Sequence, residues 1–383
     1  MEYLQKALDL LRARAYYSRN VDWNLITTQA NAFDIKSPVD SYAIIRMATE
    51  ALQDNHSFFV GANKKHSEGP QGKPLGYGLF ILSPEFVVIE VFPDSAGEQA
   101  GIRRGDVIET INGSIPISQG RGRLVLNPDF PQRIGLHRDG HSWEVEIQSA
   151  PVEKAPMPQG CYLGDGIGYL ELFVQGNPTE AQNYIDTAQN IIRKLASNGA
   201  CGWIVDLRCD RGGNMWPMFT GVGALLGDGF LGEFIDADGS KTQWFYHSGA
   251  SSYLNNEMNT PVILNVATNP VPTFDPGITP VAILTSEFTS SSGEMTLISF
   301  RGRPNTRTFG STTSGEITGV AIHELEDGAL LGIAESIAVD RTGYEYHTAI
   351  EPDEPLPIDW FRYGKADDPV IGAAKAWLRT KLP

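Results

Sequence analysis

Two stretches of this chain pass from an unbroken apolar run straight into small and polar residues: GWIVDLRCDRGGN, residues 202–214, and VAILTSEFTSSSGEM, residues 281–295. An apolar run without the alternation of a half-exposed strand belongs to a strand buried on both faces, as in parallel sheets covered by helices. Parallel strands need crossover connections, and helices are the usual ones. The sequence supplies two. PTEAQNYIDTAQNIIRKLASNG, residues 178–199, has helical periodicity closed by Gly199, and SSSGEMTLISFRG, residues 290–302, reads as the helix after the second run. The region from about residue 160 is therefore expected to be an α/β unit with a parallel or mixed sheet. Its Gly-rich turn and serine cluster would lie at the C-terminal edge of the strands, where ligands of such sheets bind.

The 383 residues are enough for two or three packed units. The first 60 carry helical patterns at Tyr3–Tyr17 and Pro38–Gln53, the second opened by Ser37 as cap and Pro38 in the first turn. The polar run Gly61–Pro74 has the composition of a linker. Short β-type runs follow, LGYGLFIL, FVVIEVF, DVIETING, RIGLHRDG and SWEVEIQ, with Ser95 capping a short helix that Gly101 ends. The expected division is a helical unit over 1–60, a β-rich module over 69–152 and an α/β core over 160–383.

Thirty Lys and Arg face 46 Asp and Glu, a net charge of −16, which excludes nonspecific attraction to nucleic acid or anionic lipid. Cys161, Cys201 and Cys209 make no CxxC pair and read as buried packing residues, so no structural metal and no disulfide framework is implied. The first 23 residues form an amphipathic pattern with no apolar stretch long enough for a signal peptide or a membrane span. The protein is then either cytoplasmic or, if an export signal has been removed, a cell-envelope, periplasmic or secreted one.

Three features could carry chemistry. Ser290, Ser291 and Ser292 sit at a strand-to-helix junction, where a hydroxyl can be exposed beside helix N-terminal amides that face a developing oxyanion; the same residues would also serve as plain helix caps. Gly212 and Gly213 would let a backbone amide approach a substrate carbonyl, or merely form a turn. His56 follows a helix among small polar residues and could act as a general base, as could His66, His137, His141, His247, His323 and His347 on sequence alone.

Together these segments resemble the C-terminal processing serine peptidases, their tricorn-core relatives and the nisin-resistance protein branch. FPDSAGEQAGIRRGDVIETINGSIP resembles the second half of the PDZ domain those enzymes carry, IVDLRCDRGGNMWPM their D-x-R-x-N-x-G-G segment with Asp210 where Asn is usual, and TSEFTSSSGEM their nucleophile helix. The resemblance implies a multi-domain α+β chain with an N-terminal helical unit, a β-rich PDZ domain and an α/β core of the ClpP/crotonase type. It implies Ser291 as nucleophile, three residues before Glu294, and an oxyanion hole from the Ser292 amide with Gly212 or Gly213, Gly212 favoured. The Ser-Lys members place lysine where this chain has Glu316. The Ser-His members carry an L-x-D-x-H-[ST] run that LQDNHSFF matches, with Asn55 where Gly is frequent, so His56 is the implied base. An acidic residue orienting the imidazole is left unplaced among Glu345, Glu351 and Asp353. Gly76, Tyr77, Gly78, Leu79 and Phe80, in GYGLFI and its flank, resemble the loop and strand edge by which PDZ domains take a peptide terminus.

The expected function is acyl transfer to Ser291 with a polypeptide substrate, and no metal or cofactor. Two other readings stand beside it. One is an esterase on small acyl esters, with Trp216 and Trp244 lining the pocket; the other is a catalytically idle peptide-binding scaffold. A homo-oligomer is compatible with all three.

Overall fold

The structure, a computed structural model, describes residues 2–62, 75–117 and 122–382. The linker read over Gly61–Pro74 lies, from residue 63 onward, outside the described residues. The chain divides into two compact units. One comprises Met1–Lys64, Pro158–Leu356 and Ala374–Pro383, the other Lys65–Met157 and Pro357–Ala373.

In the first unit, six strands lie in the order Gln159–Tyr162, Ile167–Glu171, Gly202–Asp206, Val281–Thr285, Thr306–Gly310, Glu354–Pro355. The first pairing is antiparallel and the rest are parallel. The strands at 167–171, 202–206 and 281–285 are buried along their whole length, which accounts for their unbroken apolar sequence. The crossover helix Ala181–Ser197 buries one stripe, Tyr184, Ile185, Ala188, Ile192 and Leu195, and Gly199 beyond it adopts φ +93°. The helices Met215–Leu226 and Ser292–Phe300 are buried on every side, so neither shows an amphipathic pattern.

Both helices pack against a second sheet. It has seven antiparallel strands in the order Phe58–Val60, Leu330–Asp340, Gly229–Asp236, Lys241–His247, Ala250–Asn255, Val262–Val266, with Thr318–Glu324 also paired to Leu330–Asp340. The N-terminal helices Glu2–Arg14, Trp23–Asn31 and Tyr42–Glu50 share a core with this sheet, in which Leu4, Leu11, Ile44 and Ile45 meet Leu331 and Ile333. The N-terminal segment is thus part of the same unit as the sheet, tied in by the short strand at 58–60. Ser37 and Asp40 form the capping box that opens its third helical stretch, with Asp40 Oδ2 accepting the Ser37 N–H at 2.7 Å.

In the second unit, the five β-type runs become strands at Leu79–Leu82, Val88–Val91, Val107–Ile111, Gln132–Arg138 and His141–Ile147. Ser95 caps the short helix Ala96–Gln99. The core comprises Tyr77, Ile81, Val88, Ile102, Ile108, Ile134 and Leu136. All three cysteines are free, and of them only Cys209 is buried; Cys161 and Cys201 are exposed, contrary to expectation, Cys161 within a strand exposed along its length and Cys201 just before the buried strand 202–206.

The strand Gly202–Asp206 ends in a fully buried ion pair that anchors the Gly-rich turn. Arg208 Nη2 donates to Asp206 Oδ2 at 2.6 Å, and the Tyr169 hydroxyl donates to the same oxygen at 2.7 Å. Breaking a buried pair leaves an uncompensated charge, so Arg208→Met is expected to cost about 3 to 5 kcal/mol. Urea titration monitored by circular dichroism measures this, and a loss below about 1 kcal/mol would contradict it.

Candidate active site

The strand Val281–Thr285 leads through residues 286–291 to the helix that begins at Ser292, with Ser291 as its N-cap. Ser291 has φ +52° and ψ −121°, a region that a residue with a Cβ holds only when its surroundings over-determine it. Glu294, one turn into the helix and fully buried, accepts the Ser291 N–H on Oε2 at 3.0 Å. Burial pushes the Glu294 carboxyl up to about 7, against the pull of hydrogen bonds from Thr313, Gly315 and Ser291.

The Gly-rich turn presses against this junction. A Cβ on Gly212 would lie 2.7 Å from the Ser291 Cβ, 2.8 Å from the Ser290 carbonyl oxygen and 2.9 Å from the Ser292 nitrogen, at φ +91°. Only glycine fits. The Ser290 N–H donates to the Asp210 carbonyl at 3.0 Å, fastening turn to turn. Asp210 accepts the Gly212 N–H on Oδ1 at 3.1 Å, a bond that an Asn oxygen would also make.

That bond separates the two glycines. Gly212 is buried and its amide is engaged by Asp210, whereas Gly213 is exposed and lines the cavity in front of Ser291. The serines separate in the same way. Ser290 does not line the cavity, Ser292 does but its hydroxyl donates to the Gly213 carbonyl at 2.8 Å, and Ser291 stands at the turn itself.

His56 reaches the same cavity from the far end of the chain. Asp54 Oδ1 accepts the N–H groups of His56 and Ser57 at 2.9 and 2.7 Å, and the Ser57 hydroxyl accepts the Ala334 N–H at 3.0 Å. Strand 58–60 then pairs with Gly332–Leu330, so the imidazole is held between an Asp-capped turn and a β-ladder. Asn55 has φ +58°, the left-handed conformation that Gly takes freely and Asn tolerates. His56 Nδ1 lies 2.9 Å from Thr318 Oγ1, at the start of strand 318–324. Burial pushes the imidazole down to about 4, although the Asp54 carboxylate and a backbone hydrogen bond at Thr318 pull the other way.

The cavity measures about 570 Å³. Its walls include Phe58, Met215, Trp216, Phe234 and Met295, and among the described residues that line it His56 is the one histidine and there is no lysine. Glu316 is not on its wall. Trp244 is not either: it is fully buried between Phe219 and Phe234, so the expectation that it lines a pocket fails. Glu345, Glu351 and Asp353 also lie off the wall; Asp353 instead accepts the Thr308 N–H at 2.8 Å and pairs with Arg301 at 2.7 Å. The partner of the imidazole is thus a hydroxyl, Thr318, that the search for a carboxylate passed over. Its signal is position: it lies two residues beyond Glu316, where the resemblance places the lysine of Ser-Lys members.

In the second unit, Tyr77 and Phe80 are buried, and the Tyr77 hydroxyl donates to the Asn127 carbonyl at 3.0 Å. Gly76 pairs with Ala150, and Gly78 adopts φ +65° where a Cβ would strike Ser95. Leu79 and Phe80 pair with Val91 and Glu90, and on the other side of the strand Ile81 and Leu82 pair with Leu124 and Arg123.

Residues 166–356 match the model of peptidase family S41. The nisin-resistance protein of Lactococcus lactis subsp. lactis is 32% identical over 250 residues, covering 61% of this chain and 73% of that protein. Carboxyl-terminal-processing peptidase 2 of the Arabidopsis thaliana chloroplast is 25% identical over 351 residues, covering 83% and 61%. A lipoprotein from Streptococcus agalactiae shares the fold with a TM-score of 0.59 at 20% identity, covering 99% of this chain and 96% of that one. The photosystem II D1 C-terminal processing protease does so with a TM-score of 0.57 at 19% identity, covering 93% and 92%. Fold and relatives together define a serine peptidase. The chain belongs to peptidase family S41.

The contact at Gly212 gives a test of how tightly the two turns are locked. Gly212→Ala is expected to cost about 2 kcal/mol or more from overpacking and backbone strain. It should also slow fluorophosphonate labelling of the serine turn by about 100-fold, since a misplacement of about 1 Å has that effect. Labelling rate and thermal melting, read on the same preparation, check both.

Proposed function

We propose that this peptidase cleaves polypeptides through a Ser291–His56 pair rather than a Ser-Lys pair. The observation that carries the reading is that His56 and Ser291 line one cavity, on whose wall there is no lysine among the described residues. With the Nδ1–H donated to Thr318 Oγ1, the Nε2 lone pair is left to take the Ser291 proton. Ser291 Oγ then attacks the scissile carbonyl, and the amides of Gly213 and Ser292 receive the oxyanion. The protonated imidazole gives its proton to the leaving amine, and water attacks the acyl-enzyme to restore Ser291. Because the Gly212 amide is engaged by Asp210, the Gly213 amide is the better donor of the pair.

The β-module would engage the polypeptide through the loop and strand edge around Gly78 and Leu79, which resemble those by which PDZ domains take a peptide terminus. The buried rings of Tyr77 and Phe80 would support that edge rather than touch the peptide. Cleavage of a small ester is the second reading, favoured by the apolar wall of Trp216, Met215 and Met295 in a cavity of small-molecule size.

Labelling with a fluorophosphonate and mapping the adduct by mass spectrometry tests the nucleophile. The adduct is expected on Ser291, lost in Ser291→Ala, retained in Ser290→Ala, and slowed by about 10³-fold or more in His56→Ala. An adduct at another residue would overturn the assignment, and turnover of peptide against ester substrates decides between the two readings.

The low position of His56 gives the pH dependence its sign. The base is neutral, and so able to accept a proton, at all pH values above about 4. Complete loss of kcat/KM on acidification is therefore expected only as pH falls through about 4, roughly tenfold per unit. A limb of complete loss centred near 6.5 would contradict it.

A further inference from the structure

An acidic residue three positions into a helix that accepts the N-cap amide is a common capping device, and it ordinarily needs one carboxylate oxygen. Glu294 uses both. Oε2 takes the Ser291 N–H at 3.0 Å, while Oε1 takes the Thr313 hydroxyl at 2.5 Å and the Gly315 N–H at 2.9 Å, partners 19 and 21 residues along the chain. The side chain is fully buried, so none of these donors is shared with water.

Residues 311–317 run directly into the strand that begins at Thr318, the residue holding His56 Nδ1. The Thr313 hydroxyl accepts the Ile350 N–H at 2.8 Å, which commits its own proton to Glu294. The neighbouring Ser314 N–H donates to the Thr289 carbonyl at 3.0 Å, a second tie between this loop and the serine turn. One carboxylate therefore bridges the strained backbone of Ser291 and the segment that sets the position of the imidazole.

We infer that Glu294 is a positioning residue that holds the nucleophile turn and the strand of the base in one register. This rests on the Ser291–His56 reading. Three donors converge on the carboxyl, which suits an anion, since an ionised carboxylate only accepts. A proton on either oxygen would face a donor and displace it, loosening one side of the bridge. Burial opposes the anion, as does the Glu316 carboxylate on the same loop; the Gly-rich turn brings Asp210 against the neighbouring Gly293. With the group at about 7, the bridge is complete above neutrality and loosened below it. Wild-type kcat should therefore fall by a partial step near pH 7, separate from the complete loss near pH 4.

The test measures kcat, KM and their pH profiles for wild type, Glu294→Gln, Thr313→Val and Thr313→Ser, with melting curves and adduct mapping on each. In Glu294→Gln, kcat should fall about tenfold or more with KM within about twofold, and the step near 7 should vanish. In Thr313→Val, loss of a bond that favours the anion should move the step to higher pH, and Thr313→Ser, which keeps the hydroxyl, should match wild type. Full kcat, or an unmoved step, in a folded Glu294→Gln overturns the inference while an adduct on Ser291 leaves the dyad standing. If Glu294→Gln does not fold, the threonine pair decides: a Thr313→Val profile identical to wild type overturns it. An adduct away from Ser291 overturns the dyad and this inference with it.

Discussion

A Cβ on Gly212 would lie 2.7 Å from the Ser291 Cβ, so the Gly-rich turn and the serine turn approach closely enough to exclude any side chain there. The rest of the site depends on that approach. Both turns hang from neighbouring strands of the parallel sheet, 202–206 and 281–285, which fixes their spacing at one strand separation. The buried Asp206–Arg208 pair holds one turn, and the Ser290 bond to Asp210 couples it to the other. Strain at Ser291 and the presentation of Gly213 are consequences of forcing two loops into the room of one.

The opposing half of the site is built by different physics. His56 is not carried by the parallel sheet but is stitched to the antiparallel one, through Asp54, Ser57 and three residues of strand. Its ring partner is a neutral hydroxyl, which orients without adding a full negative charge beside the ring. Burial therefore dominates, and the imidazole stays uncharged well into the acid range. An aspartate in place of Thr318 would have pulled the opposite way.

What could be read from the sequence followed burial. Runs such as WIVD and VAIL announce strands covered on both faces, and the C-terminal edge where ligands gather came with them. The five strands of the inserted module could be seen as short β-type runs separated by turn residues. The seven-stranded sheet was not foreseen, because its strands lack a clean period: Val262–Val266 is mostly exposed, while most of Leu330–Asp340 is buried. Helices 215–226 and 292–300 are buried all round, so nothing in their pattern pointed to that sheet. Motif matching picked out Ser291 and His56, which the structure brings to one cavity, but it favoured Gly212 over Gly213, since the difference lies in which amide Asp210 takes. Thr318 escaped for a similar reason: a hydroxyl at a strand start is common, and its use is visible only once a residue 262 positions away comes within 2.9 Å.

That separation bears on the life of the chain before it is complete. Strand 58–60 finds its partner only when residues 330–332 exist, and Thr318 is made nearly as late. A nascent chain that already carries the whole inserted module, the Gly-rich turn and even the serine turn still has no anchored imidazole facing Ser291. Domains tend to fold as they emerge during synthesis. Here the order of the segments makes the pairing of the last long strand an assembly checkpoint: until residues 330–332 are made, the segment that follows His56 has no ladder to hold it.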